Sequence, residues 1–388
     1  MLAAALGIVS QLWAPSVKAG EAKTYECKPG PWGRLEYQYI YLSVPNSVLD
    51  QFPMPRPGPE WCFPEASSVK VHEFLKNAGL DPKVVDRLVS DTRSHPDAEG
   101  VVTLYPTLED VVNLPPATRD AIYQELAKSE LNPYLYQPIC IPDGDFAAWL
   151  QDSGLPDNVA DFIRKTSYRE GGSVLFGDLK TLMGLATSDS EARRWVKAIT
   201  RTRAVVAWLV MDPKDDLAGL RRYWSADFHR KDALPMLEAV DKWPGGAKLD
   251  LTHLLPPFAR SLVYGYTTPD IERNGQTPNC HWTSLNFFNY TRQDIFMDLK
   301  LASSQVLEDY EKAAEPYQFG DVLFFLNDAG NAYHSCVYIA DNLVFSKNGE
   351  NTMMPWILTR MEDVKQLYLH QPGQKILVFR RRWPEEDL

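Results

Sequence analysis

Long apolar runs are missing from this 388-residue chain. No stretch reaches the ~20 apolar residues that a bilayer-spanning helix needs, so no integral membrane segment is expected. Basic charge is also short: 40 Lys and Arg face 51 Asp and Glu, a net charge of −11. That balance argues against a generic nucleic-acid or anionic-membrane surface, and it identifies no substrate. His72, His95, His229, His253 and His370 have no ligand-like spacing with Cys, Asp or Glu, so a metal centre is not expected. Nothing else calls for a cofactor. Cysteines are sparse and odd in number: Cys27, Cys62, Cys140, Cys280 and Cys336. In an exported protein Cys27 and Cys62 can pair, since both lie in one Pro-rich region; the alternative is five ordinary buried thiols. If they pair, the odd count still leaves a thiol unpaired, and Cys280 is the best candidate to stay reduced. Internal repeats and low-complexity tracts are absent as well.

What is present is an ordinary globular composition, 45% hydrophobic and 23% charged, with ample material for a core. The length calls for two or three domains. Eleven Trp and 29 Pro point to irregular connections packed by aromatics. The first charged residue is Lys18, and Val17-Lys18-Ala19-Gly20 fits cleavage after a small residue. Residues 1–19 therefore read as a signal peptide, although the usual basic start is missing; an N-terminal helix of the fold is the alternative. The expected location is periplasmic or secreted.

Residues 20–250 read as a mixed α/β region whose aromatics and prolines suit either a binding surface or a scaffold. Leu35–Leu42 and Arg203–Met211 have strand character. Helices are expected over 69–75 (stopped by Gly79), 107–113, 116–128, 143–152, 156–165, 189–199 and 231–240, with Asp143 and Asp157 as caps. A boundary falls near 250–268, where Pro256-Pro257 interrupts an apolar helix over 251–266. Residues 251–388 then show a helix from Cys280, a helix over 299–314, and strands near 320–326, 333–340, 342–347 and 375–381. Helices followed by a meander of strands imply an α+β class.

Cys280 follows Asn279, a good N-cap residue, and Trp282, Leu285 and Phe288 continue at helical spacing. The thiol thus falls in a first helical turn, where unpaired N–H groups and the macrodipole favour the thiolate. Such a setting can bring a cysteine from ~8.5 into the range of roughly 3.5–7.5. His334 opens the strand His334-Ser335-Cys336-Val337-Tyr338-Ile339 and can serve as general base. A base needs a third polar group to fix its tautomer, and Ser346 and Asn348 both offer one. His281 and Trp282 adjoin the nucleophile and are candidates to line a substrate pocket; His281 can equally be a surface residue. Cys336 shares a strand face with His334, so it either fills a packing slot or traps Cys280 as a disulfide. Asp321, in a Gly-Asp turn, reads as structural, and Arg380-Arg381-Arg382 as a solvated edge.

The order helix-Cys, Gly-Asp strand (Gly320-Asp321-Val322-Leu323-Phe324-Phe325), His strand and polar residue resembles the NlpC family of papain-like cell-wall cysteine peptidases. The resemblance covers about 120 residues. It implies a papain-like domain in which the Cys-bearing helix packs on an antiparallel sheet. It also implies metal-free cleavage of amide bonds in peptidoglycan stem peptides, with Cys280 as nucleophile and His334 as base. The family usually has Asp before Cys and Ser-Gly after it, where this chain has Asn279 and His281-Trp282. The third residue is commonly His in the family, and the count along the strand lands on Ser346 here. Two other classes compete: a non-catalytic binding or structural protein of the same fold, and a thiol acyltransferase using the same pair. The sequence does not indicate an oligomeric state.

Overall fold

The structure, a computed structural model, describes residues 23–94, 96–272, 275–369 and 373–383. The expected signal peptide at 1–19 lies outside the described residues, as do His95 and His370. Helices and antiparallel sheets together make the fold α+β. Among the described residues, no helix is long and apolar enough to cross a membrane.

Local chemistry sets most helix ends. Ser67 caps Ser68–Asn77 by accepting from Lys70 N at 3.3 Å, and Gly79 follows the helix at φ +87°. That left-handed conformation closes a helix at little cost only for glycine. Thr107 and Asp110 form a reciprocal capping box on Leu108–Val112. Asp189–Ile199 stands where the periodicity predicts it, capped by Ser188. The two expected acidic caps act differently. Asp145, not Asp143, caps Phe146–Leu150 by accepting from Ala148 N at 3.0 Å. Asp143 instead takes φ +54° and pairs with Arg203 at 2.6 Å. Asp157 is already inside its helix, Asp157–Thr166, behind Pro156.

Two sheets frame the site. In the first, Arg34–Leu42 pairs along its whole length with Thr202–Met211, and Tyr25–Glu26 and Ala247–Asp250 flank them. The second has six strands in the order Tyr310–Ala313, Lys375–Arg381, Val322–Leu326, Ala332–Ala340, Leu343–Lys347, Trp356–Arg360. All of its pairings are antiparallel. The helix expected over 299–314 ends at Asp309. The next four residues become an edge strand, because Tyr310 is buried and Tyr310–Ala313 pairs with Val378–Arg381. The 251–266 helix is split at its prolines into a short turn, Leu251–Leu254, and the helix Pro257–Leu262.

Side-chain alternation gives the six-stranded sheet two buried faces. Val322, Phe324, Val337, Ile339 and Phe345 face one cluster with Trp282 and Leu285. Leu323, Phe325, Cys336, Tyr338 and Val344 face the other, with Val364. The first cluster also holds Leu35, Leu209, Trp224 and Leu254, so a single core runs across residue 250. All five cysteines are free, and the Cys27–Cys62 pairing is not formed. Cys27 belongs to that large core, whereas Cys62 lies on Trp61–Phe63 against Thr103.

Candidate active site

Asn279 opens the helix Cys280–Leu285, as the sequence indicates: its Oδ1 accepts from Trp282 N at 2.9 Å. Every residue of this helix is buried. Side-chain hydrogen bonds hold it in place. Thr283 Oγ1 donates to Asn279 O at 2.8 Å and accepts from Trp356 Nε1 at 2.9 Å, while Ser335 Oγ donates to Ser284 Oγ at 3.1 Å. The helix is thereby fixed to the His334 strand and to the sheet's last strand.

The strands beneath it separate at this point. Ala332–Ala340 and Leu343–Lys347 are in register at Val337↔Phe345 and Tyr338↔Val344, and no pairing continues toward His334. The Cys280 thiol lies near this end, close to the backbone N–H groups of Ser335, His281 and Cys280 itself. These donors and the Lys347 charge favour the thiolate, in the direction expected for a helix start. Burial outweighs them. Cys280 is 4% exposed, and desolvation pushes its thiol up to about 11. The expected lowered pKa is therefore overturned in this closed state: the resting group is a neutral thiol.

His334 is fully buried. Its Nε2 lies 3.3 Å from Ser346 Oγ, and Ser346 Oγ donates to Asn348 Oδ1 at 3.2 Å. With its proton committed to Asn348, the Ser346 oxygen accepts, so His334 carries hydrogen on Nε2 and a lone pair on Nδ1. Ser346 and Asn348 thus act in series; they are not alternatives. His334 Nδ1 has no hydrogen-bond partner, and no hydrogen bond joins it to Cys280 among the described residues. The imidazole stacks on Tyr368, with ring centres 3.9 Å apart and planes 9° apart, and meets the edge of Phe325. Burial, aided by nearby His281, holds the His334 pKa well below the usual histidine range. Thiol and imidazole are both neutral here.

The neighbours fall out as follows. His281 is not a surface residue: it is 6% exposed, its Nδ1 lies 3.0 Å from Ser335 Oγ, and its ring faces Phe324. Trp282 packs in the core against Phe258 and Trp356. Cys336 fills a slot among Leu323, Phe325 and Val344. Asp321 is structural, accepting from Gln318 N at 2.8 Å and from Arg380 Nη2 at 2.7 Å. That pair also corrects the reading of the arginine run as a solvated edge. Arg380 is held by Asp321, and Arg381 Nη1 donates to Asn289 Oδ1 at 3.0 Å.

Two residues at the site escape the sequence reading. Lys347 is fully buried, and its Nζ donates to Gly349 O at 3.0 Å and Asn351 O at 3.1 Å. The signal was available: a lysine closing the apolar strand Leu343-Val344-Phe345-Ser346 must either turn outward or find partners. Tyr368 comes from the helix Met361–Tyr368, which the apolar pattern did not suggest. Among the described residues, no group of three or more His, Cys, Asp or Glu is arranged to hold a metal ion. No family model, curated protein or solved structure matches the chain.

Proposed function

We propose that the chain is a cysteine hydrolase, a peptidase or amidase of the NlpC-type papain-like kind, with Cys280 as nucleophile and His334 as base. One observation carries the reading: the His334–Ser346–Asn348 series leaves Nδ1 as the open basic nitrogen at the end of the sheet to which the Cys280 helix is fixed. In this mechanism Nδ1 takes the thiol proton as sulfur bonds to the substrate's carbonyl carbon. The carbonyl electron pair moves to oxygen, and in this reading the Cys280 N–H donates to that oxyanion. Collapse breaks the C–N bond, and the proton on Nδ1 goes to the leaving amine. Water then cleaves the thioester, with His334 again as base. Both residues are buried at rest, so substrate entry has to displace the groups that cover them. Peptidoglycan stem peptides as substrate, and a periplasmic or secreted location, are part of the same proposal.

Turnover of stem-peptide amides by the wild type should be lost in Cys280→Ser and His334→Ala. Ser346→Ala leaves Nε2–H without a buried acceptor and should slow hydrolysis about tenfold or more. The burial of both groups also favours a second reading, a binding or structural protein that keeps the fold without catalysis. Absence of turnover across a panel of peptide amides, in properly folded wild type, would select that second reading.

A further inference from the structure

Lys347 is a buried cation that forms no direct ion pair among the described residues. Its two hydrogen bonds go to neutral carbonyls, Gly349 O and Asn351 O, and its ammonium lies 5.5 Å from the Trp356 ring centre. No ion pair of Lys347 occurs among the described residues, and the nearby Glu350 is exposed. Burying an ammonium this way is costly unless an anion is close. One candidate anion is at hand. Trp356, over whose ring the Lys347 ammonium lies, donates from Nε1 to Thr283 Oγ1 at 2.9 Å, one turn along the helix from Cys280. Lysine and thiol act on each other electrostatically in both directions.

We infer that Lys347 is the positioning residue of the Cys280 site: it ties down the 348–351 turn that carries Asn348, and it supplies the positive charge against which the thiolate forms. The inference rests on Cys280 being the nucleophile, but its test reads the sulfur and not turnover. The other titratable groups around the thiol are His281 on its own helix, His334 and Cys336 on the strand beneath, and Tyr368. Both histidines are held neutral by burial. Cys336 and Tyr368 are anions if ionised at all. Lys347 is thus the cation of this set at neutral pH.

The experiment follows alkylation of Cys280 by iodoacetamide against pH, with mass spectrometry of the Cys280 peptide. Lys347→Gln keeps a donor for the carbonyls and removes the charge, whereas Lys347→Arg keeps the charge. Near pH 7 the Gln variant should react about tenfold more slowly, with its profile displaced to higher pH, and the Arg variant should recover most of the loss. A Gln variant that is folded and reacts like wild type would overturn the inference. A second measurement needs no variant. An ammonium beside the sulfur should raise the ratio of iodoacetate to iodoacetamide rates at Cys280 above that of free cysteine, against the net negative charge of the chain. The ratio should fall as pH rises past about 8, where Lys347 loses its proton. A ratio at or below that of free cysteine would also overturn it. Loss of peptide turnover in Cys280→Ser speaks only to the hydrolase reading, so the two can fail separately.

Discussion

Burial outweighs local charge at two interior groups of this protein. Cys280 shows it at the site, and Asp178 shows it far away. Asp178 is 7% exposed, accepts from Tyr123 Oη at 2.8 Å, and has its carboxyl pushed up to about 6, first by desolvation. The Tyr123 hydrogen bond and the Arg119 charge pull the other way and do not prevail. Because the folded pKa is raised from 3.8, the folded protein holds a proton between about 3.8 and 6 that the unfolded chain releases. This contribution to stability is complete below that window and is lost as pH rises through about 6. Asp178→Asn keeps an acceptor for Tyr123 without the charge. It should be more stable than wild type by roughly 1–3 kcal/mol at pH 7.5, with the gap closing near pH 4. Denaturant melts at the two pH values would check this; equal stability at pH 7.5 would show that the folded protein does not raise the Asp178 pKa. His334, with its pKa lowered, has the opposite sign, and its contribution is lost as pH falls below the usual histidine range.

At the level of elements, the turn before the strand Val322–Leu326 shows how tightly the framework is drawn. Gly320 sits at φ +92°, and a Cβ there would collide with the Phe288 ring. Its N–H donates to Tyr338 O at 2.9 Å, tying the turn to the His334 strand. Gly320→Ala meets backbone strain and a clash together, so a loss of more than about 1 kcal/mol is expected, read as a lower denaturation midpoint. An unchanged midpoint would mean that the turn relaxes freely. This Gly-Asp turn was legible in the sequence, as were Asn279 as a cap and the strands bearing His334 and Ser346. Each depends on neighbours in the chain, through capping chemistry or two-residue alternation. The strand Trp356–Arg360 and the helix Met361–Tyr368 were missed because tertiary pairing makes them. With them went Tyr368, the ring stacked on His334. The resting pKa of Cys280 was misjudged for a related reason: a cap and a dipole can be read locally, but burial cannot.

At the scale of the whole molecule, the question is whether the site region stands alone, as a length of about 120 residues suggested. Its contacts argue otherwise. Leu35, Leu209 and Trp224 share one core with Trp282, Phe345 and Leu358. Tyr223 Oη donates to Ile339 O at 2.7 Å, and Arg360 Nη1 to Tyr39 Oη at 3.1 Å. Arg203, itself 9% exposed, bonds Asp363 at 2.7 Å on the helix that ends in Tyr368. A fragment 251–388 would uncover the face of that core now covered by the strands Arg34–Leu42 and Thr202–Met211. It would also leave Asp363, whose pKa burial already raises, without its arginine. Apolar area costs about 25 cal/mol per Å² when returned to water, so losing a covering sheet removes more than a marginally stable domain can spare. The fragment should therefore lack a cooperative thermal transition and bind a hydrophobic dye, while the full chain melts cooperatively without the dye. A fragment that melts sharply near the temperature of the full chain would show that residues 251–388 form an independent domain, and that the shared core contributes little to their stability.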